Sequence, residues 1–396
     1  MKKKILAAVA VSVLWGWGQA QAEVSLFDYK QGSSDSEEAY VIGAFDLSKG
    51  RNDSQSSYNL DLNAFYDRLF STPARDFSYG GEIIGNVNRG SAKDAERSST
   101  YQASIDGNID SYFVPGSSGA FWYGGGRVEA RDKLENLDNF DTDNVETTAT
   151  IGAGMGRVTD VTPMAYTIRV MDELYKRRII NAKPAVGVYQ EIAQIVAKEY
   201  IYKRRYGAND YVMYWVSDIE KALRNSGSLA NGLGAQGAIK VRDVLMRENT
   251  FKRRIGWKVR AGLGYAFTAF DGDPNPKLEV QGEYHMPLNN RTQFSNVATF
   301  STKINDGDDS YSATNDMSLS YELADNIDWL NSWDIDYRHN GKADTNGTIH
   351  TLASTFSYEI NNVLNFETTA SLVNEDGSSD DGTDRRLTMG LKYRLR

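Results

Sequence analysis

The chain has no cysteine, 7 prolines and 3 histidines, and a single long apolar run. The missing cysteine excludes disulfides and thiolate metal sites. Few prolines beside 23 tyrosines and 35 glycines suit a large β-structure that needs no disulfides. The one apolar run, residues 5–17, follows Lys2-Lys3-Lys4 and precedes Gln19-Ala20-Gln21-Ala22. A positive start, an apolar stretch too short to span a bilayer and an Ala-x-Ala site describe a secretory signal peptide over residues 1–22. The mature chain is then expected to begin at Glu23 and to be exported. No other stretch approaches the roughly 18 apolar residues of a transmembrane helix.

Charge is unevenly spread. The net charge of the chain is −9, yet residues 157–254 hold 18 Lys/Arg against 10 Asp/Glu. The remainder is therefore acidic, with 26 basic and 43 acidic residues left from totals of 44 and 53. The basic stretch also reads as helix inside a sequence that otherwise reads as strand.

Outside it, apolar residues recur at every second position over segments long enough to span a membrane as strands. Tyr58, Leu60, Leu62, Ala64 and Tyr66 alternate with Asn59, Asp61, Asn63 and Asp67. Trp257, Val259, Ala261, Leu263, Tyr265 and Phe267 alternate with Lys258, Arg260, Gly262 and Gly264. Such alternation predicts strands at 39–49, 56–71, 77–89, 99–113, 120–132 and 144–157 before the basic stretch. Eight more follow it, at 256–270, 277–287, 292–305, 310–324, 328–340, 348–360, 363–374 and 385–396. Short connections and long or acidic ones alternate, provided the helical stretch counts as short. An even number of strands joined by alternating turns and loops describes an all-β transmembrane β-barrel of about 14 antiparallel strands.

The last strand carries Thr388-Met389-Gly390-Leu391-Lys392-Tyr393-Arg394-Leu395. This stretch resembles the terminal β-signal of bacterial outer-membrane β-barrel (porin-like) proteins, although the chain ends in Arg396 rather than an aromatic residue. The resemblance implies the outer membrane of a Gram-negative bacterium and recognition by the barrel assembly machinery. It also implies contact with outer-membrane lipids and lipopolysaccharide. The chain then divides into the signal peptide (1–22), a first barrel part (23–157), a basic helical insert (158–252) and a second barrel part (253–396). In outer-membrane barrels short turns face the periplasm, so the insert is expected to be periplasmic or luminal.

Within the insert, Thr162-Pro163 reads as a helix N-cap with proline in the first turn. Ile168, Met171, Leu174, Tyr175 and Ile179 follow at helical spacing. Lys183-Pro184 starts a second helix that Gly207 ends. A third is capped by Asn209 or Asp210, and a fourth spans about 239–248 after a flexible link through Gly232, Gly234 and Gly237. Three basic triplets stand behind an aromatic residue: Tyr175-Lys176-Arg177-Arg178, Tyr202-Lys203-Arg204-Arg205 and Phe251-Lys252-Arg253-Arg254. They have three readings: helix C-termini offsetting the macrodipole, lipid phosphates, or an acidic partner. That partner would be the barrel's own lumen, a periplasmic protein or a polyanion. No DNA-binding motif accompanies them, so nucleic acid is not expected.

The polar face of the strands places Arg127, Arg131, Lys258, Arg260, Asp316, Glu322, Asp334, Asp336, Arg338, Lys392 and Arg394 inward. Charges on a lumen wall set ion selectivity or cross-link and fill the lumen. Gly152, Gly154 and Gly156 fall on inward positions, leaving room for something bulky, such as the insert. His339-Asn340-Gly341 is similar to the His-x-Ser-Asn-Gly stretch of outer-membrane lipid hydrolases, but the serine is absent and Ser332 lies seven residues upstream. His285 and His350 have no evident partners, and the acidic loop runs lack the order of a calcium loop. No enzymatic activity, cofactor or metal is expected. The reading is a channel for small hydrophilic solutes gated by the insert. The alternative is a non-conducting structural, assembly or export protein whose insert docks an envelope partner.

Overall fold

Period-two alternation forces each segment to offer one face to an apolar surrounding and the other to water. The computed structural model describes residues 24–30, 32–49, 54–133, 144–229, 231–247, 252–270, 275–304, 309–341, 343–361, 363–377 and 382–395. The expected signal peptide, Phe251, Arg396 and the acidic runs at 271–273 and 306–308 lie outside these residues. The strands are β1 (Ser34–Ser48), β2 (Ser57–Ser71), β3 (Arg75–Arg89), β4 (Arg97–Tyr112), β5 (Ala120–Lys133), β6 (Val145–Asp160) and β7 (Arg254–Thr268). Then come β8 (Pro276–Asn289), β9 (Thr292–Lys303), β10 (Tyr311–Ala324), β11 (Ile327–Asn340), β12 (Thr345–Asn361), β13 (Leu364–Asp376) and β14 (Gly382–Arg394). Each pairs antiparallel with its sequence neighbours, and β14 returns to β1, closing the barrel. Every expected strand is present. The largest shift is at β1, which starts at Ser34 rather than at residue 39.

The outward residues are the apolar ones. Val259, Leu263 and Phe267 of β7, Leu352 and Phe356 of β12, and Leu387, Met389 and Leu391 of β14 are exposed on the outer wall. Aromatic clusters mark both rims of this band. Tyr66, Phe70, Phe77 and Tyr79 meet at the end with the turn 72–74. Tyr311, Tyr337 and His339 meet at the opposite end. An apolar band between two aromatic girdles is the outer surface of a membrane barrel.

Four helices sit between β6 and β7: α1 (Thr162–Lys176), α2 (Val186–Val196), α3 (Glu199–Asn225) and α4 (Gly234–Arg247). None is long and apolar enough to cross a membrane. They share one core around Met164, Met171, Leu174, Ile192, Trp215 and Ile219. Several helix boundaries differ from the expected ones. The cap of α1 is Val161, because the Thr162 hydroxyl accepts instead from the Arg253 amide at 2.9 Å. The second helix stops at Val196 and a further helical segment starts at Glu199, but Gly207 breaks α3 into two segments with its non-helical φ 79° and ψ 161°, as expected. Gly234 and Gly237 belong to α4, whose start at Gly234 is earlier than their poor helix propensity suggests.

A segment not anticipated from sequence completes this core. Residues 24–30, with the short 3-10 turn Leu26–Asp28, place Leu26 and Tyr29 among the helices. Gln190 donates to the Asp28 carbonyl at 2.7 Å, and Gln194 to that of Lys30.

Candidate functional site

The helices are bound to one end of the barrel, the end bearing the turns 72–74, 290–291 and 325–326. Their stem continues the β6–β7 ladder past Asp160↔Arg254, with the Val161 amide on the Arg253 carbonyl at 2.7 Å. Gly156 and Gly256, at φ 100° and 115°, adopt left-handed backbone that lets the two strands bend where any other residue would be strained.

From this stem α1 crosses the mouth. Glu322 of β10 points inward, alternating with outward Tyr321 and Leu323. It accepts from Arg169 of α1 and, at 2.5 Å, from Arg253 of the stem. The side chains are 9%, 0% and 2% exposed for Arg169, Arg253 and Glu322. Buried charges persist only when paired in this way. On the opposite wall Lys252 meets Glu38 of β1 at 3.0 Å and Asp67 of β2 at 3.3 Å. Burial lowers the Lys252 pKa, but Glu38 and Asp67 outweigh it and the net shift is upward. Consecutive residues of the stem thus grip two walls of the barrel. A cavity of 430 Å³ remains beside α1, between Tyr166, Trp215, Met246 and the foot of β1, with Lys252 and Arg394 on its wall.

Outside the rim, α3 also touches the barrel. Arg68 of β2 pairs with Asp35 at 3.1 Å. Its guanidinium lies between the Phe70 ring and the Tyr200 ring, 4.4 and 3.9 Å from their centres.

The basic triplets divide accordingly. Lys176 and Arg177 pair with Glu173 at 2.9 and 3.4 Å in the last turn of α1, with Arg178 beyond and Tyr175 exposed. In α3, just before the kink, Lys203 pairs with Glu199 at 3.0 Å. Arg204 lies over Tyr200 and Arg205 over Tyr206. The Tyr202 hydroxyl donates to Asp218 at 2.5 Å, and its pKa is raised by burial and by that carboxylate. In the third triplet Lys252 and Arg253 take barrel carboxylates, while Arg254 opens β7 with its amide on Gln293 at 3.1 Å.

Inside the barrel the two halves differ. Near the helices the charges are cross-linked. Lys258 bridges Asp110 at 2.8 Å and Glu283 at 2.9 Å, with Arg260 3.8 Å from Asp110. Arg157 joins Asp76 at 3.1 Å and lies over the Tyr112 ring. Lys392 stands 3.8 Å from Glu367 and, with Arg394, over Tyr40. Toward the other end the side chains face open space. Arg127 on Glu129 is 48% exposed and Arg338 on Asp336 is 75% exposed. Arg131 lies over Phe270, and Asp316 is opposite Asp334 in the β10–β11 register.

Two expectations need correction. His285 does have partners: it meets Ser295 at 3.0 Å and Glu283 at 3.3 Å. A histidine 2% exposed, whose carboxylate partner already neutralises Lys258, makes a structural clasp. The glycines of β6 leave room for their neighbours rather than for the insert. A Cβ at Gly154 would overlap the Phe121 ring, and one at Gly152 would meet Tyr123. Both rings are fully buried against that strand.

Sequence reasoning missed Arg169. The available signal was a guanidinium between Ile168 and Val170, on a helix whose neighbouring residues are core. Among the described residues no group of three His, Asp or Glu side chains is placed to hold a metal ion.

A closed barrel of 14 antiparallel strands, with an apolar outer band and a charged interior, has the architecture of the bacterial outer membrane. The chain is a bacterial outer-membrane β-barrel protein. Residues 250–360, from β7 to nearly the end of β12, match the family described as "Protein of unknown function, DUF481". No curated protein matches the sequence. Similar solved structures include the translocator domain of autotransporter NalP from Neisseria meningitidis, at 8% identity and a TM-score of 0.32, covering 92% of this chain and 90% of that one. CdiB from Escherichia coli has 8% identity and a TM-score of 0.41, covering 90% of this chain and 62% of that one. The outer membrane channel DcaP of Acinetobacter baumannii has 10% identity and a TM-score of 0.35, covering 92% and 98%.

Proposed function

We propose that this protein is a gated channel for small hydrophilic solutes, with the helix bundle as its plug on the periplasmic side. Residues 1–22 direct export, and the short-turn end faces the periplasm as in other outer-membrane barrels. The observation that carries the reading is Glu322. One carboxylate inside the wall holds both the plug helix, through Arg169, and the returning stem, through Arg253. Such a fastening is reversible, because each guanidinium regains water when α1 withdraws. Above it the exposed charges of Arg127, Arg131, Asp316, Asp334, Asp336 and Arg338 line the solute path and set its ion preference. Lys258 and Arg260 are too closely paired for that role and brace the wall instead, while Lys392 and Arg394 stand beside Tyr40 near the helices.

Planar-bilayer recording tests this. Deleting 163–250 is expected to raise conductance well above that of the intact chain. A barrel that passes no ions even after the deletion would sink the channel reading. Protease access to Lys203–Arg205 in intact cells would contradict the periplasmic placement. A docking role is the second reading, supported by exposed Ile201, Met213 and Tyr214 on α3. It predicts an envelope protein that co-purifies and is lost when Arg204 and Arg205 are changed to alanine.

A further inference from the structure

One seam of the barrel is unlike the others. Among the described residues β1 and β14 pair only from Tyr40↔Arg394 to Ala44↔Gly390, five residue pairs, extended by the Leu395 amide on the Ala39 carbonyl. On their other sides the same strands pair far longer, β1 with β2 over fifteen residues and β14 with β13 over twelve. Residues 382–389 of β14 have no partner on β1 among the described residues. Strand edges left unpaired at membrane depth are costly, which is why membrane barrels close completely. A short seam is therefore where parting the wall breaks the fewest hydrogen bonds.

The wall beside that seam has an unusual inner face. Phe45 and Leu47 of β1 are exposed outward, so Tyr40, Ile42 and Ala44 point into the lumen. Tyr40 stacks there on Phe65 of β2, ring centres 6.4 Å apart. Between Glu38 and Asp46, β1 is apolar on both faces. Cations stand next to this stripe, with Lys392 4.1 Å and Arg394 5.6 Å from the centre of the Tyr40 ring. The 430 Å³ cavity opens at the foot of the same strands, with Tyr40, Arg394 and Leu395 on its wall.

We propose that the β1–β14 seam is a lateral opening through which an amphiphile with an acyl chain and an anionic head passes between lumen and membrane. The chain lies along Tyr40, Ile42, Ala44 and Phe65, and the head rests beside Lys392 and Arg394. Apolar contact on both sides of one strand keeps an acyl chain out of water throughout the crossing. This route is separate from the solute path and does not require the plug to move.

The absence of cysteine allows a clean test. Because Ala39 and Leu395 share a hydrogen bond, Val41↔Tyr393 is a hydrogen-bonded pair with Cα atoms about 5.5 Å apart, close enough for a disulfide. The full chain carrying Val41→Cys and Tyr393→Cys, both outside the proposed site, would be placed in phosphatidylethanolamine vesicles with palmitate bearing a diazirine in its acyl chain. After irradiation, mass spectrometry is expected to find label on inward Tyr40 and Phe65 in the reduced protein, and to find that label lost on oxidation. Equal labelling in both states, or label confined to outward Phe45 and Leu47, overturns the proposal. With the unsubstituted protein, the methyl ester of the same probe is expected to label weakly. Equal labelling by ester and acid overturns the anionic head. Ion flux through the same vesicles reports on the solute channel independently, so one reading can fail without the other.

Discussion

Replacing Glu322 by alanine should release the plug without dissolving the barrel. The carboxylate is 2% exposed and neutralises two guanidiniums that are themselves 9% and 0% exposed. Removing one partner of such a group leaves buried charge uncompensated, which costs about 3–5 kcal/mol. Asp328 also faces Arg253 electrostatically and takes over part of that role, so about 3 kcal/mol applies, roughly a hundredfold in an equilibrium. The cost falls on the docked state alone, because withdrawal returns Arg169 and Arg253 to water. If the open state is about 1% populated in the native protein, it would approach half in the variant. Single-channel recording reads this as open time, and protease cleavage within α1 reads it as exposure. Glu322→Gln keeps an acceptor for one arginine and should fall between the two. A Glu322→Ala protein with native conductance and native protease resistance would refute the reasoning. So would a variant that opens only when the strands themselves melt.

Two other substitutions probe different joints. Gly154→Ala drives a methyl group into the Phe121 ring and should cost about 1–3 kcal/mol, as overpacking does. The same Cβ would lie 2.7 Å from the Val259 carbonyl, so thermal unfolding in detergent should show the loss; a Gly154→Ala barrel as stable as the native one would rule out that close approach. Leu26→Ala empties a 4% exposed position in the helical core and should cost about 2–5 kcal/mol there. Hydrogen exchange is expected to quicken across α1 and α2 and to leave the strands unchanged, and uniform quickening would contradict the placement of this segment.

The strands were legible because lipid and water impose opposite demands on neighbouring residues, so Leu263 and Arg260 announce their faces without any tertiary knowledge. Loop length was a weaker guide. The connection 113–119 is as long as 304–310 on the other side, and strand order rather than length places it. Helix ends were less legible, since Thr162 offered a good cap that the tertiary structure spent on the Arg253 amide. Glu322 appeared among the inward carboxylates with nothing to separate it from Asp316 or Asp334. What distinguishes it is the arrival of Arg169 from another element, a contact 153 positions away in sequence. The seam was hidden for a similar reason. Alternation identifies β1 and β14 as strands, but how far they pair depends on register across the whole closed ring.

The docking of residues 24–30 on the helices has a consequence for dissecting the molecule. Gln190 reaches back 162 positions to the Asp28 carbonyl, so the helical core is discontinuous in the chain. A fragment cut at the ends of the insert, 162–247, would lack Leu26 and Tyr29 and expose the apolar faces they cover. Such a fragment is expected to aggregate. One that joins 24–30 to 161–247 through a flexible linker should fold as a soluble bundle. During synthesis residues 24–30 must likewise wait for the helices that cover them, which follow more than a hundred positions later.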